Sequence, residues 1–469
     1  MSRRAILALL SEMAAVNSAH VRSQYAPERS AAPDARRLLT PVEFPPGFFW
    51  GAATAGHQVE GNNHNDWSEW EKSERRLAEL RSAGESEKYG LSNFISGRAC
   101  DHYNRFEEDF RLAKGLGHNA TRFSIEWSRI EPRQGEFDQA AIAHYVNVTK
   151  CVRELGIEPF VTLWHWPIPV WLRNAGGWRS SESAHFFGRY CEVVVKALGP
   201  LVRFWLTLNE PEVYAANSYI AGLWPPQKTN PVLYLVVLHN LIAGHRRAYE
   251  VIKTVSVDSQ VGIAKANILF EAYQDKFVNL ALKRCFDWWW NEYFLERIRD
   301  CQDFIGLNFY MKRLLNYGLV EDPAAKLSDV GWELWPQAIG QALRDLWEYR
   351  KPIYVTENGL ADARDEFRGW FIFESLCSVA DSIRSGVDVR GYLHWSLMDN
   401  FEWDKGFWPR FGLIEIDYES LRRTPRRSAL FYADVCAANG INDSILEKHR
   451  NLGGPDPSPK RADWGSRDA

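Results

Sequence analysis

Two glutamates stand where short apolar runs of the sequence end. The β-prone run Ile353–Thr356 leads directly into Glu357, and an Asn-Gly pair then favours a turn. The run Phe204–Leu208 leads through an asparagine to Glu210, and Pro211 prevents a strand from continuing. Carboxylates at the C-terminal ends of two strands of one barrel would meet at its mouth. Such a pair supplies what hydrolysis of a glycosidic bond needs, which is a nucleophile or base and an acid.

Either glutamate, taken alone, also fits a simpler interpretation in which it caps the helix that follows it. Both glutamates, however, end an apolar run, and each stands beside an asparagine. This repetition favours the catalytic interpretation over the capping one.

The elements that must position the pair alternate between apolar runs and stretches of helical periodicity. After a first strand within 44–54, strands are predicted at 119–125, 157–164, 202–208, 260–266, 303–309, 352–356 and 388–395. Helices are predicted at 101–117, 139–155, 181–198, 231–254, 276–299, 336–349, 369–385 and 426–438. The polar residues 62–98 predict a surface excursion with short helices. The alternation predicts the α/β class and a single-domain (β/α)8 TIM barrel, with its active site at the C-terminal ends of the strands.

The barrel is predicted to occupy residues 41–450. Residues 1–40 are rich in Ala, Ser and Arg, and predict a disordered leader or a start codon assigned too early. An export signal is the alternative, but the apolar stretch Ala5–Leu10 ends at a serine and a glutamate. The Pro- and charge-rich residues 451–469 predict a disordered tail.

The composition is that of an ordinary soluble protein. Hydrophobic residues make up 46% of the 469 residues, and the net charge of −4 gives no reason to expect nucleic acid or an anionic membrane as a partner. No apolar run approaches the ~18 residues of a membrane span. The seven cysteines are scattered without a CxxC pair, which predicts no zinc site, no disulfide framework and a cytoplasmic location. No cofactor and no metal are expected, and homo-oligomerisation stays open.

The strand exits add polar and aromatic side chains to the two glutamates. Amides and an imidazole can hold sugar hydroxyls, an arginine can keep a nearby glutamate ionised, and a phenol can donate to an attacking carboxylate. Tryptophan, present 21 times, offers flat apolar faces to sugar rings. His165 could instead be a core histidine, and Arg122 part of a surface ion pair. The strand-exit residues are Gln58, Arg122, His165, Asn209, Glu210, Tyr310, Glu357 and Trp395.

A series of motifs runs through the chain around these positions. They are FFWGAATAGHQVEG at 48–61, ACDHY at 99–103, RFSIEWSRI at 122–130, EPFVTLWHW at 158–166, TLNEP at 207–211, IGLNFY at 305–310, YVTENG at 354–359 and GYLHWSLMDNFEW at 391–403. Over residues 44–447 the sequence therefore resembles glycoside hydrolase family 1, the retaining β-glycosidases. The stretches at 166–169 and from 390 onward resemble the archaeal-type branch more than plant or typical bacterial members.

The resemblance implies a role for each position. Glu357 would be the nucleophile and Glu210 the acid/base, in agreement with the strand-exit interpretation. Arg122 and Tyr310 would support the nucleophile. The positions implied to contact the sugar are Gln58, His165, Trp166, Asn209, Trp395, Glu402 and Trp403. The implied enzyme is a β-glucosidase that hydrolyses terminal non-reducing β-D-glucosyl residues, and also β-D-galactosyl and β-D-fucosyl residues, of small soluble glycosides through a covalent glycosyl-enzyme.

Two departures and two rival interpretations accompany this resemblance. The segments 287–303 and 310–331 are shorter than the resemblance leads us to expect, which leaves the aglycone preference open. A non-catalytic sugar-binding barrel should have lost one of the glutamates, and both are present. A sugar isomerase on the same barrel would need metal ligands or a lysine at the strand ends, and neither is found among the strand-exit residues. An anionic Glu402 is expected to exclude 6-phosphorylated sugars.

Overall fold

Eight parallel strands of the described residues form a closed barrel. They are β1 Phe49–Ala53, β2 Ala120–Ser124, β3 Glu158–Trp164, β4 Phe204–Asn209, β5 Gln260–Ala272, β6 Ile305–Leu315, β7 Ile353–Asn358 and β8 Val389–Trp395. Each strand pairs with the next, and β8 pairs with β1 to close the ring, which confirms the predicted (β/α)8 barrel. This computed structural model describes residues 41–322 and 325–454. The predicted leader, and residues 455–469 of the predicted tail, lie outside this range.

A main helix follows each strand along the chain. The eight are α1 His102–Gly115, α2 Gln139–Glu154, α3 Ser183–Leu198, α4 Pro231–Val255, α5 Phe277–Phe286, α6 Ile339–Leu346, α7 Arg368–Arg384 and α8 Arg427–Ala438. Two of them begin at caps that the sequence makes recognisable. The Asp138 side chain accepts two backbone N–H groups at the start of α2, and Asn230 does the same at the start of α4.

Shorter elements fill the connections. The α-helical ones are Gly56–Val59, Asp66–Trp70, Glu74–Ser82, Glu85–Tyr89, Trp127–Ile130, Val170–Asn174, Pro211–Ala216, Tyr293–Arg297 and Asp443–Lys448. Turns of 3-10 helix are Leu91–Phe94, Gly177–Arg179, Gly199–Leu201, Pro336–Ala338, Trp347–Tyr349 and Trp403–Lys405, and turns of π-helix are Asn217–Ala221 and Asp287–Glu292. The minor strands are Val42–Glu43 with Gly440–Ile441, Ile414–Ile416 with Arg423–Pro425, and Leu319–Val320 beside the end of β6. Over the described ranges, no helix combines the length and apolar character needed to cross a membrane.

The largest departures from the predicted elements lie on one side of the barrel mouth. The strand predicted at 260–266 continues to Ala272 as β5, and the strand predicted at 303–309 continues to Leu315 as β6. Both continue because residues 269–272 and 312–315 pair with each other beyond the barrel. The helix predicted at 276–299 is present over 277–297, but the π-helical turn Asp287–Glu292 interrupts its α-helical geometry between α5 and the helix Tyr293–Arg297.

The excursion at 62–98 is only partly a surface feature. It carries short helices as predicted, but Trp67 in the helix Asp66–Trp70 is completely buried. The Trp67 ring lies 4.7 Å from the ring of Trp403, which stands in the barrel mouth. The polar composition of residues 62–98 therefore does not show that part of this segment packs behind the mouth.

Aromatic rings fill the barrel interior near the starts of the strands. Phe160 and Phe204 stack with their ring centroids 4.4 Å apart, and Phe49 and Tyr354 pack against both. Because this cluster closes one end of the interior, the polar side chains at the other end face a pocket rather than a channel.

Candidate active site

A pocket of about 940 Å³, its open mouth included, lies at the C-terminal ends of the barrel strands. Its lining brings together residues from five motifs that are far apart in sequence. The predicted site residues that line it are His165, Trp166, Asn209, Glu210, Tyr310, Glu357, Trp395, Glu402 and Trp403. The other two lie directly behind the lining, where Arg122 contacts Glu357 and Gln58 contacts Glu402.

Glu357 is held by a cation and a phenol. Arg122, completely buried on β2, forms an ion pair with Oε1 of Glu357. The Tyr310 hydroxyl donates to Oε2 at 2.6 Å, and burial raises the pKa of this hydroxyl well above its usual range, so that it stays a donor. Burial also raises the pKa of Glu357, and the Arg122 charge and the Tyr310 hydrogen bond oppose that rise. Both carboxylate oxygens of Glu357 are thus stabilised in the ionised form.

Glu210 has quite different surroundings. It occupies the N-cap of the helix Pro211–Ala216 with a positive φ of 42°, but its side chain makes no capping hydrogen bond, which rules out the capping interpretation. Instead Oε1 accepts from Asn308 Nδ2 at 2.8 Å. Burial and then the negative charge of Glu357 raise the pKa of Glu210 to about 8. Glu210 is therefore protonated at neutral pH, while Glu357 carries the charge.

Asn308 connects the two glutamates and was missed in the sequence. Its Nδ2 donates to Glu210 Oε1 and, at 3.1 Å, to Asn209 Oδ1. Its Oδ1 accepts from the hydroxyl of Thr356, the residue before Glu357, at 2.7 Å. The available signal was a polar residue inside an apolar run, two positions before Tyr310.

Among the buried polar atoms in and directly behind the mouth that have no hydrogen-bond partner within the described residues are Gln58 Oε1 and His165 Nδ1. The Gln58 amide nitrogen is fixed by the Phe401 carbonyl at 2.9 Å, which turns Oε1 outward as a free acceptor. His165 Nε2 lies 3.0 Å from Asn209 Nδ2 and must accept, so the neutral ring carries its proton on Nδ1. An unpaired buried group costs about 1–3 kcal/mol. One acceptor and one donor are therefore ready for hydroxyl groups.

Asn209 itself is already engaged. Its Oδ1 accepts from Arg122 at 2.7 Å and from Asn308, and its Nδ2 donates to His165. The predicted sugar contact through Asn209 is thus limited to the second N–H of its amide, and the side chain also orients its three neighbours.

The predicted tryptophans form one aromatic wall. Trp403 stacks on the buried His57 with ring centroids 5.7 Å apart, and Trp166 lies 4.5 Å from Trp403. The Trp166 indole N–H donates to the Asn209 carbonyl at 3.0 Å, which fixes its plane. Trp395, the last residue of β8, stacks with His165 at 5.9 Å. Rigid apolar faces of this kind suit the C–H faces of a sugar ring.

The expectation that Glu402 is an anion does not agree with its surroundings. Burial raises the pKa of Glu402 to about 8, and the Lys405 charge only partly opposes this while Asp404 and Glu357 add to it. At neutral pH the empty pocket therefore holds a protonated Glu402, which can donate one hydrogen bond and accept others.

The far wall of the pocket comes from segments whose mutual packing the sequence does not show. The π-turn contributes Trp290, and the extensions of β5 and β6 contribute Asn267 and Met311. Trp332 packs on Phe411 with ring centroids 6.0 Å apart. Trp290 and Met311 belong to the segments 287–303 and 310–331, which are shorter than the resemblance leads us to expect.

A lysine was overlooked near a strand end. Lys265 on β5 is completely buried beside Glu210, contrary to the expectation that no lysine is present there. Its Nζ donates to the Ala266 and Trp290 carbonyls, each at 2.7 Å, and the residue is not part of the pocket lining. It therefore does not offer the free amine that a different reaction at this mouth would need.

A (β/α)8 barrel with an ionised and a protonated glutamate side by side at its C-terminal mouth is of the glycoside hydrolase class. Residues 40–299 and 290–441 match glycosyl hydrolase family 1. The chain belongs to this family, which confirms the resemblance of its motifs, and it is a glycoside hydrolase.

The similarity extends over nearly the full length of the relatives. Beta-glucosidase A of Thermotoga maritima is 32% identical over 454 residues, which cover 86% of this chain and 99% of the relative. A solved beta-glycosidase from Pyrococcus horikoshii is 34% identical with a TM-score of 0.78, covering 89% of this chain and 99% of that chain. Beta-galactosidase of Saccharolobus solfataricus is 29% identical over 482 residues, covering 86% of this chain and 96% of the relative. Archaeal proteins thus stand beside bacterial ones among its relatives.

Proposed function

We propose that the protein is a retaining β-glycosidase that releases terminal non-reducing β-D-glucosyl residues, and also β-D-galactosyl and β-D-fucosyl residues, from small soluble glycosides. The observation that carries the proposal is the unequal environment of the two glutamates. Glu357 is paired with a guanidinium and a phenol, whereas Glu210 has an amide and the negative charge of Glu357. Double displacement requires such a pair of one ionised and one protonated carboxyl group.

The two steps use the same residues in turn. First, the Glu357 carboxylate attacks the anomeric carbon, the glycosidic C–O bond breaks, and Glu210 gives its proton to the departing oxygen. Second, the Glu210 carboxylate takes a proton from water, the water oxygen attacks the anomeric carbon, and Glu357 is released. Each step inverts the anomeric centre, so the product keeps the β configuration.

The sugar specificity is supported by the polar groups that stand ready in the mouth. Gln58 Oε1 accepts, His165 Nδ1 donates, and Glu402 can do both. Such a set can hold a hydroxyl in either orientation at position 4 of the ring. Among the relatives are proteins named beta-glucosidase and beta-galactosidase. A cytoplasmic location is also proposed, since all seven cysteines are free.

The proposal is tested by aryl β-D-glucoside, β-D-galactoside and β-D-fucoside measured side by side. We expect all three to release their phenol, and proton NMR to show the β-anomer of the sugar first. An α-anomer as first product would refute the retaining mechanism, and no release from any of the three would refute the activity.

The pH dependence of kcat/KM is expected to be bell-shaped, with its basic limb near pH 8. Glu210 is the acid and has a pKa of about 8, so activity is present below this value and is lost as the pH rises through it. The acidic limb reports protonation of Glu357. The measurement is kcat/KM of an aryl β-glucoside across the pH range.

Glu402 has a similar pKa and is the control for this prediction. Glu402→Gln should retain the basic limb at reduced activity, whereas Glu210→Gln should lose it with a substrate whose leaving group needs no proton. If the limb vanishes in Glu402→Gln and persists in Glu210→Gln, the assignment of the acid is wrong.

A 6-phosphorylated sugar is expected to be a poor substrate. Lys405 is the one lysine or arginine among the described pocket-lining residues, and it stands against Glu357 and Asp404 even when Glu210 and Glu402 are protonated. A phosphate dianion would therefore meet a net acidic pocket and would also keep Glu402 from ionising. The comparison is kcat/KM for an aryl glucoside and its 6-phosphate, in the wild type and in Glu402→Ser. Preference of the wild type for the phosphorylated substrate would contradict this prediction.

Loss of the 6-hydroxyl, as in a fucoside, should cost no more than about 1–3 kcal/mol of transition-state binding.

A further inference from the structure

A buried ion pair lies directly behind Glu210. Lys265 on β5 is completely buried, and Glu212, two residues after Glu210, is 1% exposed. Lys265 Nζ and Glu212 Oε1 lie 3.3 Å apart. Neither residue lines the pocket, so the pair acts on a bound sugar only through other groups.

The pair is poorly satisfied for a buried one. Apart from the Lys265 ammonium group at 3.3 Å and its own backbone amide, Glu212 offers its carboxylate oxygens to no hydrogen-bond partner in the described part of the chain. Burial raises the pKa of Glu212 and lowers that of Lys265, which shows how strongly the site disfavours both charges. Apolar side chains of the same volume often match or exceed the stability of such a pair. Stability alone therefore does not account for these two residues.

The backbone holds the ammonium group at a fixed place relative to the Glu210 carboxyl group. The Glu210 amide donates to the carbonyl of Ala264, the residue before Lys265, at 2.8 Å. Glu210 is the N-cap of the short helix that contains Glu212, so the position of Glu212 is also fixed relative to Glu210. Lys265 also donates to the carbonyl of Trp290, which connects the ion pair to the far wall of the pocket.

The groups that shift the pKa of Glu210 lie on four other strands of the barrel. Burial and Glu357 on β7 raise the pKa of Glu210, while Asn308 on β6, Arg122 on β2 and Lys265 on β5 oppose the rise. Arg122 is already engaged by Glu357, its ion-pair partner.

Two other titratable neighbours in the mouth are neutral. Burial raises the pKa of Tyr310 and lowers that of His165, so neither ring is charged near neutral pH. Arg122 and Lys265 both lower the pKa of Glu210, and of these two cations only Lys265 is not paired with Glu357.

We propose that Lys265, held in its charged form by Glu212, is a positioning residue that keeps Glu210 from binding its proton too tightly. This inference rests on the proposed function, in which Glu210 is the acid/base. An acid whose pKa lies far above the working pH donates poorly to a leaving group. Burial and the negative charge of Glu357 raise the pKa of Glu210, and the nearby ammonium group of Lys265 lowers it. Glu212 is required because an unpaired lysine that is completely shielded from water would lose its own proton.

The test compares Lys265→Met and the double variant Lys265→Met/Glu212→Gln with the wild type. In both variants the basic limb of kcat/KM is expected to move to higher pH, by about half a unit or more, since an opposite charge close to a carboxyl group shifts its pKa by about one to three units. The double variant leaves no unpaired buried charge, and a thermal unfolding measurement shows whether it is folded before its pH profile is compared.

A second readout separates this role from a purely structural one. The leaving group of 2,4-dinitrophenyl β-glucoside departs without a proton, so kcat/KM of the variants for this substrate should stay within about twofold of the wild type. For an alkyl β-glucoside at pH 6, kcat/KM should fall by about two- to fivefold, because Glu210 becomes a weaker acid. Equal losses with both substrates, or an unmoved basic limb in the folded double variant, would overturn the proposal.

A control removes a less buried lysine–carboxylate pair away from the pocket. Lys253 and Asp303 form an ion pair at 2.6 Å outside the pocket lining, and Asp303 precedes β6 at the opposite end of the barrel. Lys253→Met/Asp303→Asn changes the same charges and should leave the basic limb in place. Failure of the proposed function would appear differently, as a wild type without glycosidase activity or without a basic limb that depends on Glu210.

Discussion

Glu357→Ala is expected to lower kcat on an aryl β-glucoside by at least about 10⁴-fold, the scale of loss when a covalent nucleophile is removed from a hydrolase. The variant keeps Arg122 and Tyr310 in place around the vacated volume, where a buried guanidinium then lacks its anion. Added azide or formate should therefore bind there and attack the anomeric carbon in place of the carboxylate. Turnover should recover, and azide should give the α-glycosyl azide, because one inversion replaces two.

The control for this result is a partly buried carboxylate that has no place in the pocket. Glu374 on α7 has a pKa raised by burial and accepts from Gln337 at 3.0 Å. Glu374→Ala should retain the kcat of the wild type and should not respond to azide. If azide fails to rescue Glu357→Ala, or if the rescued product has the β configuration, Glu357 is not the nucleophile.

The strand exits could be predicted from sequence because local rules place them. An apolar run that ends in a turn signal marks the C-terminal end of a strand, and a parallel barrel gathers all such ends on one face. Glu357, Glu210, Tyr310 and His165 were all found in this way, and the structure brings them into one pocket. The eightfold alternation that places them is equally local, and the predicted barrel is confirmed.

The parts that escaped prediction depend on pairing between distant segments. The β5 and β6 extensions form because each is the other's partner, which neither sequence shows alone. Trp67 lies in a polar stretch, yet it is buried by contact with Trp403, which is more than 300 residues away. Asn308 was missed because it lies inside a strand whose other residues are mostly apolar.

The charge states of buried side chains were the property that the sequence predicted least well. Glu402 was expected to be an anion because a glutamate in water is one, but burial raises its pKa to about 8. Lys265 and Glu212 were passed over because a lysine within a strand, or a glutamate after a proline, indicates nothing until the two are found 3.3 Å apart. Desolvation depends on the whole fold, so sequence alone does not predict it.

Glu210→Ala is expected to separate the two chemical steps. Glycosylation by 2,4-dinitrophenyl β-glucoside should proceed, since this leaving group departs without a proton. Deglycosylation should slow by about 10²- to 10⁴-fold, the usual contribution of a general base. The glycosyl-enzyme should therefore accumulate after a burst of one phenol per active site, which rapid-mixing kinetics would measure.

The same variant distinguishes Glu210 from Glu357 by the configuration of the rescued product. Azide needs no base, so it should attack the glycosyl-enzyme from the face that Glu210 vacated and give the β-glycosyl azide, opposite to the product from Glu357→Ala. The fold should survive, because the Glu210 side chain makes no capping hydrogen bond and Asn308 retains Asn209 as a partner. An alkyl β-glucoside, which does need the proton, should lose activity already in the first step. If alkyl and dinitrophenyl substrates lose activity equally and no burst appears, Glu210 is not the acid/base, and the unequal surroundings of the two glutamates need another explanation.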